Sequence, residues 1–522
     1  MAQLAPWPLL LAALFAILLG QPLAQAAPGP AQEVDALLKF YATLRQKKAL
    51  TPTWKDGPNA CSFKGVVCND QDSVVILSLN GTELAGPVAW LALARLPNLQ
   101  VLNLFNNSLS GGLGPLPPSL VYFSGSMNDF SGGIPDSWAD LPPGLRELWV
   151  AYCRLDGTIP SDFKLPGGLE QLSLFANGLR GSIPAFELPD SLVMLDLSDN
   201  FFIGTIPAWK LPEGLQQLWL DRNQLAGSIP AFKLPASLSI LSLHTNYLSG
   251  RLPALAIPDG SLLAQISLQN NGLTGPLPRW NFGANFTGLF LQNNKLNGTI
   301  PTDWVLPDSL EFLNLANNSL SGGLPFKLRL PTNLSELVLS GNALSGTLFK
   351  DWQLSPNLRV LHLYDNKLTG TIPPLKLPPG LQELWLSSNQ FEGTIPLNLE
   401  LPVPLVNLLY LGNNQLTGTI NGSWVLPQVL LRLHLTGNQL TGTLPLTWEK
   451  LPVGLLELMV EDNKLSGSLP SWPDYPATRV FMQPQKPGSQ LCGEVPPSPL
   501  YLKHVVTKGT DDWVPVANLT KC

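Results

Sequence analysis

Residues 215–230 read LQQLWLDRNQLAGSIP. Leu218 and Leu220 flank Trp219, so the segment alternates with period two and sends both leucines to one side, as a strand does. Asn223, Leu225, Gly227, Ile229 and Pro230 follow at fixed offsets, and the same order of residues returns along the chain. With the asparagine as marker, the slot recurs at Thr82, Asn107, Asn128, Cys153, Asn177, Asn200, Asn223, Asn246, Asn271, Asn294, Asn318, Asn342, Asn366, Asn389, Asn414, Asn438 and Asn463, in steps of 21 to 25 residues. One such unit cannot bury its own leucine edge, whereas stacked neighbours build one continuous core. The pattern therefore predicts a solenoid of short parallel strands. It overrides length, which for 522 residues suggests three or four separate domains.

The asparagine slot falls inside the turn, where an amide can satisfy backbone groups of the adjacent coil. Thr82 and Cys153 are short and carry a hydrogen-bonding atom, so they can stand in; Cys153 is expected as a buried free thiol. The return limb repeats L-x-G-x-[IL]-P, then an aromatic, then Leu-Pro. Trp138, Phe163, Phe186, Trp209, Phe232, Trp280, Trp304, Trp352, Trp424 and Trp448 fall nine or ten residues after the slot. At so regular a period they read as packing wedges on the convex side. The prolines suit an irregular limb.

Composition narrows the class. The 51 prolines and 45 glycines are about 18% of the chain, below the ~25–30% of low-complexity disorder. Charged residues are 13%, and the net charge of −6 excludes a polybasic nucleic-acid binder. Five cysteines exclude a disulfide-dense mini-domain and a multi-zinc scaffold. Residues 1–26 read as a secretory signal: the apolar run Pro6–Gly20 is short for a membrane span, and Ala24-Gln25-Ala26 forms a cleavage site. The alternative is an uncleaved anchor, since no Lys or Arg precedes Lys39. No later stretch is apolar for long enough to span a membrane. Cys61 with Cys68, and Cys492 with Cys522, are placed so that each pair can staple one terminus in an oxidising compartment. Glycan acceptor sequons stand at Asn80, Asn106, Asn285, Asn297, Asn317, Asn333, Asn421 and Asn518.

A 20–29-residue period with this grammar is the leucine-rich repeat. The limb LTGTIP at 368–373, the segment VDALLKFYATL with Trp54 and CSFKGVVC at 61–68, and LCG at 491–493 with Cys522 resemble the plant class of these proteins. That class includes receptor-kinase ectodomains, receptor-like proteins and polygalacturonase-inhibiting proteins. The resemblance implies an α/β solenoid: a superhelix of about 17 repeats with a parallel sheet on its concave face and a cap at each end. The expected organisation is signal 1–26, N-terminal cap 27–73, repeats 74–470 and a Pro-rich C-terminal cap 471–522.

Residues six, four and two before the asparagine slot point off the concave sheet. They include Trp149, Phe175, Trp219, Asp221, His244, Phe290, His362, Tyr364, Trp385, Tyr410 and His434, read here as an exposed ligand-binding stripe because aromatics anchor interfaces; the alternative is that some pack sideways on neighbours one strand away. The same columns hold Glu147, Asp196, Asp221, Glu336, Glu383, Glu457 and Glu461 against Arg432, so polyanions are disfavoured. The histidines lie three or more units apart and form no metal site; a second reading for them is pH sensing. No catalytic motif is found, and no cofactor is expected. The chain is thus expected to be a non-enzymatic, secreted or cell-surface recognition protein. It would bind a protein or peptide ligand as receptor-like protein, co-receptor of a membrane receptor or inhibitor of a secreted hydrolase, with a glycan as a further candidate. Two alternatives stand beside it: a structural wall or matrix glycoprotein, and an ice-binding protein. The latter rests on a hydroxyl row five residues past the slot, from Thr158 to Ser468.

Overall fold

In a computed structural model the described residues are 31–54, 59–324, 329–396, 401–402, 408–422, 424, 426–445, 452, 454–468, 479–481, 485–489 and 491–492. The expected signal 1–26 lies outside them, as do Cys522, Asn518 and Trp448. The chain divides into two compact units, Met1–Phe202 and Ile203–Cys522.

The first unit opens with helix Ala31–Thr43, whose Ala36, Leu37 and Phe40 are fully buried. Trp54 stacks on Phe63 at 5.0 Å and on Tyr41 at 6.0 Å. A disulfide joins Cys61 to Cys68. Strand Val66–Cys68 runs antiparallel to Val74–Ser78. The buried carboxylate of Glu33 accepts from Ser73 Oγ at 2.6 Å and from the Val74 N–H at 2.8 Å, which ties the helix to the first repeat. Strands Val101–Asn103, Tyr122–Ser124, Glu147–Trp149, Gln171–Ser173 and Met194–Asp196 then pair in parallel.

The second unit repeats the pattern with parallel strands from Gln217–Trp219 to Glu457–Met459 and Arg479–Phe481. Leu218, Leu241, Ile266, Leu289, Leu313, Leu337, Leu361, Leu384, Leu409, Leu433 and Leu458 lie side by side in register, each at most 2% exposed. Each such side chain contributes about 1.5–3 kcal/mol of burial.

The asparagine slot does what its position predicts. Asn246 Nδ2 donates to Leu220 O of the preceding repeat at 3.0 Å and to Leu243 O at 3.1 Å, while its Oδ1 accepts from Leu225 N at 2.9 Å. The residue before the slot turns the chain at positive φ, as at Thr245 and Asn270. Cys153 keeps part of this role: its thiol donates weakly to Gly125 O at 3.4 Å. It is a free thiol but only partly buried, because its small side chain leaves room that an asparagine fills.

The return limbs, read from their prolines as irregular, are more regular than that. Among the described residues, helix is confined to Ala31–Thr43, Thr51–Trp54, Trp90–Leu93 and two 3₁₀ turns. The limbs instead form a second set of parallel strands, such as Lys367–Thr371 beside Gln390–Thr394. The architecture is a β-solenoid. The recurrent Ile-Pro and Leu-Pro pairs remove the N–H groups a helix needs. Limb aromatics are wedges: Trp138 is fully buried with Nε1 donating to Gly114 O at 2.9 Å, and Trp280 reaches Pro253 O at 3.0 Å. Trp352 is an exception and is only half-buried.

Candidate ligand-binding face

The outward side chains of the leucine strands do not form the evenly exposed stripe the sequence suggests. Rings on adjacent strands, about 4.8 Å apart, lean on one another and become half-buried. Small polar residues of the same column, Ser124, Ser173, Ser242 and Ser267, are buried beneath their neighbours.

In the second unit one stretch stands apart. On strands Val360–His362, Glu383–Trp385, Leu408–Tyr410 and Arg432–His434, direct register places His362, Trp385, Tyr410 and His434 in line. Their rings stack at centroid distances of 4.2, 4.9 and 3.9 Å with interplanar angles of 23°, 28° and 8°. Tyr364 packs against Trp385 at 5.2 Å. Stacking along the sheet axis consumes the faces of Trp385 and Tyr410, so the ladder offers ring edges to an incoming molecule. A sugar ring, which needs an open aromatic face, has none on these two residues. Two residues past Trp385, Tyr410 and His434 stand the small residues Ser387, Gly412 and Thr436.

Acids hold the two end rings. His362 Nε2 lies 2.9 Å from Glu383 Oε2, and His434 Nε2 lies 3.3 Å from Glu457 Oε2, which also meets Arg432 Nε at 3.2 Å. Burial lowers the pKa of both histidines, and the neighbouring carboxylates only partly offset it. At neutral pH each pair is therefore a neutral imidazole donating to a carboxylate, not an ion pair. Burial likewise raises Tyr410 and Glu461.

The tripeptide Glu-Leu-Trp occurs in both units with different outcomes. At 147–149 the indole N–H of Trp149 donates to Glu147 Oε2 at 3.0 Å. At 383–385 the carboxylate has been taken by His362, and the buried Trp385 Nε1 is left without a partner. Trp219 takes the first solution with Gln217 at 3.3 Å.

The remaining sequence-derived residues are not gathered into the ladder. Asp221 and His244 pair at 3.2 Å, with side chains only 8% and 18% exposed; burial raises the acid's pKa and lowers the imidazole's. Phe290 stacks on Phe312 at 6.2 Å. Trp149 and Phe175 belong to the first unit, where Phe175 meets Tyr152 edge-on at 4.9 Å. The sequence reading counted Glu383, Glu457 and Arg432 only as charge, and it overlooked Tyr152 and Phe312. Aligning repeats by register, not by column, would have placed each acid beside its histidine.

The hydroxyl row has a packing role. An ideal Cβ at Gly393, where φ is 75°, would lie 2.8 Å from the γ-methyl of Thr371; Thr394 and Thr419 stand in the same way against Gly418 and Gly442. Sequons Asn80, Asn106, Asn285, Asn297, Asn317 and Asn333 are exposed and Asn421 is half-buried. No helix among the described residues is long and apolar enough to cross a membrane.

Comparison with known proteins agrees with this architecture. Residues 30–69 match the leucine rich repeat N-terminal domain, and residues 98–123, 144–165, 309–329 and 356–399 match leucine rich repeats. The chain is 37% identical over 89 residues to the leucine-rich repeat receptor-like serine/threonine-protein kinase SKM1 of Arabidopsis thaliana, covering 17% of this chain and 9% of that protein. It is 36% identical over 118 residues to Receptor-like protein 53 of the same plant, covering 22% and 12%. The matches thus span a small part of those relatives. Among solved structures, the Arabidopsis receptor kinase HAESA ectodomain in complex with an IDA peptide hormone superposes with a TM-score of 0.56 at 26% identity, covering 89% of this chain and 87% of that one. The plant peptide hormone receptor RGFR1 in complex with RGF2 gives 0.60 at 25%, covering 79% and 78%. The chain carries leucine-rich repeats behind their N-terminal domain and has the fold of plant leucine-rich repeat ectodomains.

Proposed function

We propose that this chain is an extracellular recognition protein that binds a peptide, or an extended segment of a protein, across the outward face of its leucine strands, with the ladder His362–Trp385–Tyr410–His434 as anchor. The observation that carries this reading is the ladder itself: four rings stacked in register. Rigid aromatic anchors bind with little loss of conformational entropy. Similar ectodomains are described in complex with peptide hormones, which supports a chain-like ligand. On this reading the chain acts as a secreted receptor-like protein, a co-receptor or an inhibitor.

The test places a photo-crosslinking amino acid at Thr436, beside the ladder, and for comparison at Lys233 on a return limb. Both proteins are exposed to the native extracellular fraction. A discrete adduct at position 436 that is absent at 233, and that disappears with Tyr410→Ala while the circular dichroism spectrum is kept, is the expected result. Equal labelling at both positions would remove the ladder from the binding site.

A further inference from the structure

Three outward-facing histidines are each paired with a carboxylate of a neighbouring repeat. His362 and His434 each direct Nε2 to a carboxylate on the following strand, at 2.9 and 3.3 Å, and His244 directs its own to Asp221 of the preceding repeat, at 3.2 Å. Two of the three close the ends of the aromatic ladder. On the preceding strand Val338 lies in register with His362; Tyr364 follows on its own repeat and Glu383 faces it from the next strand, while Glu336, opposite Val360, lies within electrostatic reach of Arg359 and Glu383. The groups facing His434 are Tyr410 from the preceding strand, Arg432 from its own, and Glu457 from the next, with Glu461 and Asp462 beyond it. While the imidazoles are neutral, this stretch presents Glu336, Glu383, Glu457 and Glu461 against Arg359, which acts on Glu336, and Arg432, which is paired with Glu457.

We propose that the ladder is a proton-linked site for a basic peptide segment, holding it while both imidazoles are neutral and releasing it on acidification. The proposal rests on the recognition reading above and adds the ligand's charge and its control. Nε2–H already donates to the carboxylate, so the incoming proton goes to Nδ1. Uptake takes the His362–Glu383 pair from −1 to neutral. It takes the group His434, Glu457 and Arg432 from neutral to +1. Burial raises the pKa of Glu336 and Glu461, so their carboxyls lose charge earlier than ordinary ones as the pH falls. All of these changes have the same sign, and all oppose a bound cation. The ladder itself survives, because an imidazolium is favourably placed over the neighbouring Trp385 or Tyr410 ring. Affinity changes while the fold does not.

An added charge several ångströms from a ligand cation in water weakens it about threefold, so two imidazoliums together give about tenfold. The probe is a fluorescein-labelled octapeptide of alternating lysine and glycine, followed by anisotropy at pH 7.5 and pH 5.0 at low ionic strength, with the full chain. Its affinity is expected to fall about tenfold between the two pH values in the natural protein and by no more than about threefold in the His362→Gln/His434→Gln variant. The chain has four histidines, so ¹³C-histidine labelling yields few imidazole resonances. Those lost in each single variant should titrate below the usual value of about 6.5. A pH-independent affinity, the same loss in the double variant, or no binding of the peptide at either pH would each overturn the proposal. If crosslinking at Thr436 also finds a ligand held equally at both pH values, recognition stands and proton control falls.

Discussion

The two Glu-Leu-Trp tripeptides allow one substitution to be made in two environments with opposite expected signs. Trp149→Phe removes an indole N–H that donates to Glu147 at 3.0 Å. A hydrogen bond to a carboxylate is worth about 1.5–3 kcal/mol when buried, and partial exposure here reduces that to about 1 kcal/mol. Trp385→Phe removes an N–H that is buried and has no partner, a group whose desolvation costs about 1–3 kcal/mol. The phenyl ring still stacks between His362 and Tyr410, and the smaller ring gives back part of the gain. Trp385→Phe is therefore expected to leave stability unchanged or raise it by about 1 kcal/mol, against a loss of about 1 kcal/mol for Trp149→Phe. Urea unfolding followed by far-ultraviolet circular dichroism at pH 7 measures both. The cause can be checked in the same assay: His362→Ala frees Glu383 to accept from Trp385, so in that background Trp385→Phe should become destabilising. Equal losses for the two single variants, or no change of sign in the His362→Ala background, would refute the competition between His362 and Trp385 for Glu383.

Three further outcomes follow from the structure. Burial pushes the Cys153 thiol up to about 11, so iodoacetamide at pH 8 should alkylate it far more slowly than free cysteine, and Cys153→Asn should add about 1 kcal/mol in urea unfolding by restoring the amide bonds of that slot. Gly393→Ala forces a side chain into φ of 75° against the Thr371 methyl and should cost about 1–2 kcal/mol; adding Thr371→Ser should recover the steric part and leave the backbone part. Burial raises the pKa of Glu461, so its contribution is complete below the ordinary carboxylate range and is lost as pH rises through the raised folded value. Glu461→Gln should accordingly raise the melting temperature at pH 7 and leave it unchanged at pH 4.

Much of the fold was legible because each repeat solves the same local problem. Leu218 and Leu220 face inward for the same reason as Leu384 and Leu386, and the asparagine slot announces a turn whose backbone groups need an amide. The return limb was read as irregular because of Ile229-Pro230 and Leu211-Pro212, and the short parallel strands it forms become visible only when neighbouring coils are stacked. The binding face was less legible. Reading columns along single repeats identified Trp385, Tyr410 and the two histidines as outward-facing and allowed that some rings pack sideways on the next strand, but it did not say which, and it treated each acid as generic charge.

What the sequence determined by itself is the repeat, its register and the composition of each column, since these depend on periodicities of two and of about 24 residues within the chain. What tertiary structure decided is which side chains share an environment. Parallel strands about 4.8 Å apart bring residues 21 to 25 positions distant into van der Waals contact, so ring faces are consumed by ring faces in the ladder. Glu383 chooses His362 across the strand gap instead of Trp385 two residues away. That choice depends on the identity of the neighbour in the next coil, and a tripeptide that is identical at 147–149 and 383–385 contains no trace of it.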